Sequence, residues 1–235
     1  MSNALDRAVA VMDRLYSPGG CPWDRQQTHV SLVPYLLEEA HELAEAIETG
    51  DSIATREELG DVLLQVLFHA RIAGEEPQPY TVDDVATELA DKLIRRHPHV
   101  FADQAMDDDP HVVWDRLKKA EKHRSSVLEG ITNNQGALAR AQKVVARARR
   151  AGLGGFLPAA GVRPSCSAGE ASGVVGWAAG QGDAPDPAAR IGRELFYAVV
   201  QAQDAGIDAE AALRGVLRAV ERSIAAAEAG PRRPA

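Results

Sequence analysis

Two acidic runs, LLEEAHELAEAIE (36–48) and REELGDVLLQVLF (56–68), stand on either side of a TGDS turn at 49–52. On a helix Glu39 and Glu42 are i,i+3 neighbours, and Glu38 and Glu42 are i,i+4 neighbours. Glu58 and Asp61 repeat the i,i+3 spacing, with Gln65 one turn further along the same side. At 3.6 residues per turn, Glu39 lies at the rim of its helix's apolar stripe and Glu42 just beyond it. Glu58 stands in the same relation to Leu59, Leu63 and Val66. Helices packed by those stripes turn their acids toward a shared edge. Carboxylates that close repel one another, and partial burial drives them toward protonation unless a cation compensates. Hard oxygen ligands from two helices suit Mg²⁺ or Mn²⁺, which keep waters and bind substrate phosphates. Acids on solvated helix faces need no metal, so the residues alone leave both readings open.

Cations and aromatics elsewhere admit two readings each. Lys92, Arg95 and Arg96 either complement the dipole at the end of their helix or clamp phosphate oxygens. Trp114 and Lys118, one turn apart, read as core plus surface charge, or as a base pocket with a phosphate contact. Trp23 invites the same pair of readings. His97 and His99 flank Pro98 and receive no proton-transfer role, and Cys21 reads as a small packing residue.

Helices must position these groups. Leu5, Val9, Met12 and Leu15 repeat at helical intervals over 4–16, and SPGGCPW then interrupts the pattern. A stripe from Leu32 to Ile47 predicts a helix over 31–48, and the strongly apolar 53–73 segment predicts a second, central to the core. So short a turn between them predicts an antiparallel hairpin. Thr81 and Asp84 mark the start of a helix ending near Arg96, and Pro110 the start of another carrying Val113, Trp114 and Leu117. No stretch reads as a strand. ALARAQKVVARARRAG (137–152) is a basic helix, 152–189 is a Gly/Ala/Pro/Ser-rich flexible connection, and helices follow over 188–205 and 209–228. The expected organisation is an all-α bundle over 1–130 and a second part over 131–235.

Composition agrees. Aromatics are 5% and hydrophobic residues 45%, which favours helix-on-helix packing in a chain able to bury a sizeable core. The net charge of −8 argues against a nucleic-acid polymer as partner, although bound cations can still reverse the sign of an acidic site. No run approaches a membrane span, Asp6 and Asp13 interrupt the N-terminal apolar pattern, and two cysteines cannot build a disulfide framework. A reduced cytoplasmic protein is expected.

Glu38, Glu39 and Glu42 followed by Glu58 and Asp61 form an EExxE…ExxD pattern that resembles the MazG family of nucleoside triphosphate pyrophosphohydrolases. GCPWD (20–24), QTH (27–29), PYLLEEAHEL, ELGDVLLQVLFHA, DKLIRRHPHVF (91–101) and WDRLKKAEK (114–122) extend the resemblance in the same order over about the first 125 residues. The resemblance implies an all-α fold and Mg²⁺ ligation by Glu39, Glu42, Glu58 and Asp61, with Glu38 behind them or orienting water. It implies cleavage of a nucleoside triphosphate substrate between the α- and β-phosphates. It favours phosphate binding by Lys92, Arg95 and Arg96. It places Arg25 where the family commonly has lysine, which keeps the charge but not the geometry.

The 137–152 helix and ARIGRELFYAVVQAQDAG resemble parts of a second copy of the domain, with Arg190 and Arg193 standing where the acids would be. Arginine cannot ligate Mg²⁺, so this half reads as a degenerate repeat kept for packing or assembly. The expected activity is removal of noncanonical nucleotides. The alternatives are a dUTP- or alarmone-type pyrophosphohydrolase and a non-catalytic nucleotide-binding regulatory module. Because the 53–73 helix is apolar on most sides, a homodimer sharing basic residues across its interface is expected, unless the C-terminal helices cover that surface.

Overall fold

The computed structural model describes residues 4–102, 113, 125–158 and 186–229, and every regular element among them is helical. The chain divides into two compact units, Met1–Asp107 and Asp108–Ala235. The first contains α1 (Ala4–Tyr16), α2 (Pro22–Arg25), α3 (Val33–Thr49), α4 (Ser52–Ala73), α5 (Val82–Arg96) and α6 (Pro98–Phe101). The second contains α7 (Ala137–Arg150), a 3₁₀ turn at Gly154–Phe156, α8 (Pro187–Asp204) and α9 (Ala209–Ala229). Apart from Val113, the helix expected after Pro110, including Trp114 and Lys118, lies outside the described residues, as does most of the 152–189 connection.

Local chemistry accounts for the boundaries. After α1 the chain turns so tightly that a Cβ on Gly20 would stand 2.2 Å from the Leu15 carbonyl oxygen. Only glycine fits there. The turn closes as the Cys21 amide donates to that same oxygen at 2.8 Å. Gly50 ends α3 in the left-handed region at φ 76°, where a side chain is strained. Asp51 then starts α4 by accepting from the Ile53 and Ala54 amides at 2.9 and 3.0 Å. With two residues between the helices, α3 and α4 form the tightest pairing of the unit, flanked on α4 by α1 and α5. Thr81 and Asp84 cap α5 reciprocally: the Asp84 amide donates to the Thr81 hydroxyl, and the Thr81 amide donates to the Asp84 carboxylate.

Met12, Tyr16, Leu32, Leu67, Phe68 and Ile72 make the core of the first unit, with Ala8 and Val82 against it. The expectation that α4 is central holds for its C-terminal third, where Gln65, Leu67, Phe68, Ala70, Ile72 and Ala73 are buried. Its N-terminal part differs: Ile53 and Leu59 are 71% and 54% exposed within one chain. The apolar circumference exceeds what α1, α3 and α5 cover.

In the second unit Val145 of α7 and Val199 and Val200 of α8 are fully buried. The basic residues of α7 have local work: Arg147 donates to the carbonyls of Val127 and Glu129, and Arg149 pairs with Asp204. Arg190 pairs with Glu194 one turn along α8 at 2.6 Å.

Candidate metal centre

The α3–α4 hairpin brings three of the predicted acids together. Glu39, Glu58 and Asp61, all half-buried, each offer a carboxylate oxygen within 4.8 Å of the others. The antiparallel register causes this, because it sets the middle of α3 against the ExxD turn of α4. Burial raises the Glu39 carboxyl above its ordinary 4.5, and the charges of Asp61, Glu42, Glu58 and Glu38 raise it further. Glu58 is raised likewise, by desolvation and then by Glu42, Asp61 and Glu57. Glu38 and Glu42 are exposed, and Glu42 stands outside the close trio while its charge bears on two of its members. No cation among the described residues ion-pairs with the trio. Three oxygens converging at this range, with no compensating charge among the described residues, fit a small divalent cation.

Lys92, Arg95 and Arg96 sit on α5, which packs on α4; Lys92 and Arg96 are half-buried and Arg95 is exposed. Trp23 is 49% exposed and meets Tyr35 and Phe68 edge-on, with ring centroids 5.7 and 6.5 Å apart. It therefore bridges the core and an open face. Arg25 is engaged elsewhere: its Nη1 donates to both Glu75 carboxylate oxygens at 2.8 Å, and its guanidinium lies 4.9 Å from the Tyr16 ring centre. The hydrogen bond from Arg25 holds the Glu75 carboxyl below its usual range, burial opposes this, and Arg71 assists Arg25. Arg71 also donates to Asp13 at 2.6 Å, so the cluster ties α1, α2 and the end of α4 together.

The residue reading passed over His29 and His69. Their Nδ1 atoms are 2.6 Å apart although the residues are 40 apart in sequence, a pairing no local spacing reveals. The QTH and LFHA segments that carry them were visible only as motifs.

A profile of the MazG nucleotide pyrophosphohydrolase domain matches residues 27–101, the stretch holding the hairpin and α5. The "Uncharacterized 26.1 kDa protein in blaB 3'region" of Streptomyces cacaoi is 43% identical over 225 residues, 94% of this chain and 81% of that protein. A protein of Mycobacterium tuberculosis named nucleoside triphosphate pyrophosphohydrolase is 51% identical over 148 residues, 62% of this chain and 45% of its own length. An Escherichia coli K12 protein of the same name is 41% identical over 157 residues, 64% of this chain and 59% of its own length. The chain thus spans about half the length of these two relatives. The domain match over 27–101, the relatives named nucleoside triphosphate pyrophosphohydrolase and the carboxylate trio on the hairpin agree: this chain belongs to the MazG nucleotide pyrophosphohydrolase family.

Proposed function

We propose that this chain is a Mg²⁺-dependent cytoplasmic hydrolase that cleaves nucleoside triphosphates between the α- and β-phosphates. One water is consumed, and a nucleoside monophosphate and pyrophosphate are released. The observation that carries this is the convergence of Glu39, Glu58 and Asp61 within 4.8 Å on two helices. The names of the mycobacterial and Escherichia coli relatives supply the reaction class. Glu42 completes the ligand set from the next turn of α3, and Mn²⁺ is the expected substitute metal. When bound, the cation supplies positive charge to the phosphates and lowers the charge cost of reaching the transition state. Glu38, exposed beside the trio, orients the attacking water and receives its proton. Lys92, Arg95 and Arg96 hold phosphate oxygens from α5, together with Lys118, and Trp23 and Trp114 stack on the base.

The assay is pyrophosphate release across a panel of canonical and noncanonical triphosphates, with Mg²⁺ or with EDTA. Turnover with Mg²⁺ and none with EDTA is expected, fastest on a noncanonical base. Nucleotide binding without pyrophosphate release under any metal would make the chain a binding module instead.

The working unit in this proposal is a homodimer. Ile47, Leu59 and Ile53 are exposed along the hairpin beside Gly50, Thr55 and Arg56, and a second copy would bury them against the same patch by symmetry. Residues 131–235 serve as a degenerate repeat that supports assembly. Light scattering at low micromolar concentration is expected to give twice the 25.1 kDa chain mass. A fully active monomer at assay dilution would remove the shared site and leave the hydrolase assignment standing.

A further inference from the structure

The loop entering α3 has its own hydrogen-bonded frame. The Thr28 amide donates to the Ser31 hydroxyl at 2.9 Å, and the Ser31 amide returns a bond to the Thr28 hydroxyl at 3.1 Å. Ser31 also donates to Gln27, and Gln27 to the Trp23 carbonyl. The side chain of His29 leaves this frame toward α4 and meets His69, Nδ1 to Nδ1, at 2.6 Å. The two rings are parallel to within 4° with centroids 4.9 Å apart. A contact that short between Nδ1 atoms, at that centroid separation, means the rings lie edge to edge in nearly one plane. They are not stacked face on face. Both nitrogens therefore point along their own lone-pair or N–H direction, and one proton must lie between them. Two N–H groups at 2.6 Å would collide, and two lone pairs would repel.

We infer that His29 and His69 form a proton-sharing latch that fixes the loop before α3 to α4, keeps the two carboxylate-bearing helices in register, and opens when both rings are charged. They are positioning residues: neither belongs to the carboxylate trio. That the latch serves catalysis rests on the hydrolase reading; the shared proton does not.

The surroundings assign the proton. Glu76 lies 3.5 Å from His29 Nε2, which favours a proton on that nitrogen. In neutral His29 the Nδ1 is then an acceptor, so His69 Nδ1 donates and His69 Nε2 carries a lone pair. That Nε2 is buried without a partner, and so is the Oε1 of Gln65 one turn earlier on α4, a side chain only 4% exposed. Any proton added to the pair while the Nδ1 atoms share one hydrogen puts hydrogen on the His69 Nε2, which then needs an acceptor. Among the described residues Arg71 is bonded to Asp13 and Glu75, Arg25 to Glu75, and Asp84 of α5 to Thr81. Burial, and then the charge of His29, hold His69 below its ordinary 6.5. A first proton leaves a single N–H between the two Nδ1 atoms and puts hydrogen on both Nε2 atoms, on His29 facing Glu76 and on His69 at its buried position. A second proton puts two N–H groups and two charges face to face, and the latch separates.

The test is a titration of the full chain, ¹⁵N-labelled, from about pH 8 to about pH 4.5, read at the imidazole nitrogens and at the amides of 27–32. Two coupled steps separated by more than about one pH unit are expected, with amide protection of 27–32 lost in the second. In His29→Asn the side chain can still bond to His69 but carries no charge. His69 then titrates in one step, and loop protection persists to lower pH with helical content unchanged. His69→Gln provides the mirror variant should His29→Asn fail to fold. Two independent imidazole titrations, or loop protection lost at the same pH in wild type and variant, would overturn the latch. Pyrophosphate release followed in parallel should lose about tenfold less activity between pH 7 and pH 5.5 in His29→Asn than in wild type. If no nucleotide is turned over at any pH, the hydrolase reading fails while the imidazole titration still decides the latch.

Discussion

Asp61→Asn is expected to lower kcat/KM by at least about a thousandfold, roughly 4 kcal/mol of transition-state stabilisation, while leaving the metal-free fold as stable as before or more so. The two signs come from one arrangement. Asp61 shares a space of 4.8 Å with Glu39 and Glu58, and its charge raises the carboxyl of each. Asparagine keeps the shape but removes that repulsion, so the unliganded hairpin relaxes. On the proposed reading it also removes an anionic ligand for the dication that would hold phosphate, so turnover is expected to be lost. Glu39→Gln, on the opposite helix, should behave in the same way. The measurements are steady-state pyrophosphate release at saturating Mg²⁺, and thermal unfolding followed by circular dichroism in EDTA. Near-normal turnover in either variant removes that residue from the centre. Lost turnover accompanied by lost helicity would show a structural role instead.

What the sequence disclosed, and what it withheld, divides by range of interaction. The hairpin was legible because Gly50 and Asp51 stop one helix and start the next through their own backbone preferences, and the acids lie at fixed offsets from that turn. The α5 cap was legible for the same reason, since Thr81 and Asp84 are three residues apart. Arg25 was legible only as a cation standing where the family commonly has lysine. Its bidentate bond to Glu75, 50 residues away, becomes visible only once α2 lies beside the end of α4. His29 and His69 were hidden by the same kind of separation. The apolar circumference of α4 correctly marked the burial of its C-terminal part, but its composition could not say which turns α1 and α5 leave open. The acid set shows both regimes at once. Helical periodicity put five acids near one edge, and packing selected Glu39, Glu58 and Asp61 as the close trio.

Mg²⁺ is expected to stabilise the fold at neutral pH by about 2.7 kcal/mol at a hundred times its Kd, with the effect shrinking as the solution is acidified. The sign follows from the carboxyls. Glu39 and Glu58 are both raised above their ordinary 4.5 in the folded chain, so without metal the folded state binds protons more tightly than the unfolded one. Their contribution to stability is fully present below 4.5 and is lost as pH rises through the raised values, where the trio becomes a cluster of unscreened anions. A dication bound as proposed would reverse the balance, because it would bind the ionised trio and have little affinity for protonated carboxyls. The Mg²⁺-induced rise in Tm should therefore be large at about pH 7.5 and small at about pH 5. Differential scanning calorimetry with Mg²⁺ or EDTA at the two pH values measures it. Asp61→Asn serves as the control, in which the metal response should largely disappear at both. An equal Mg²⁺ shift at both pH values, or one that survives in Asp61→Asn, would place the stabilising cation somewhere other than between α3 and α4.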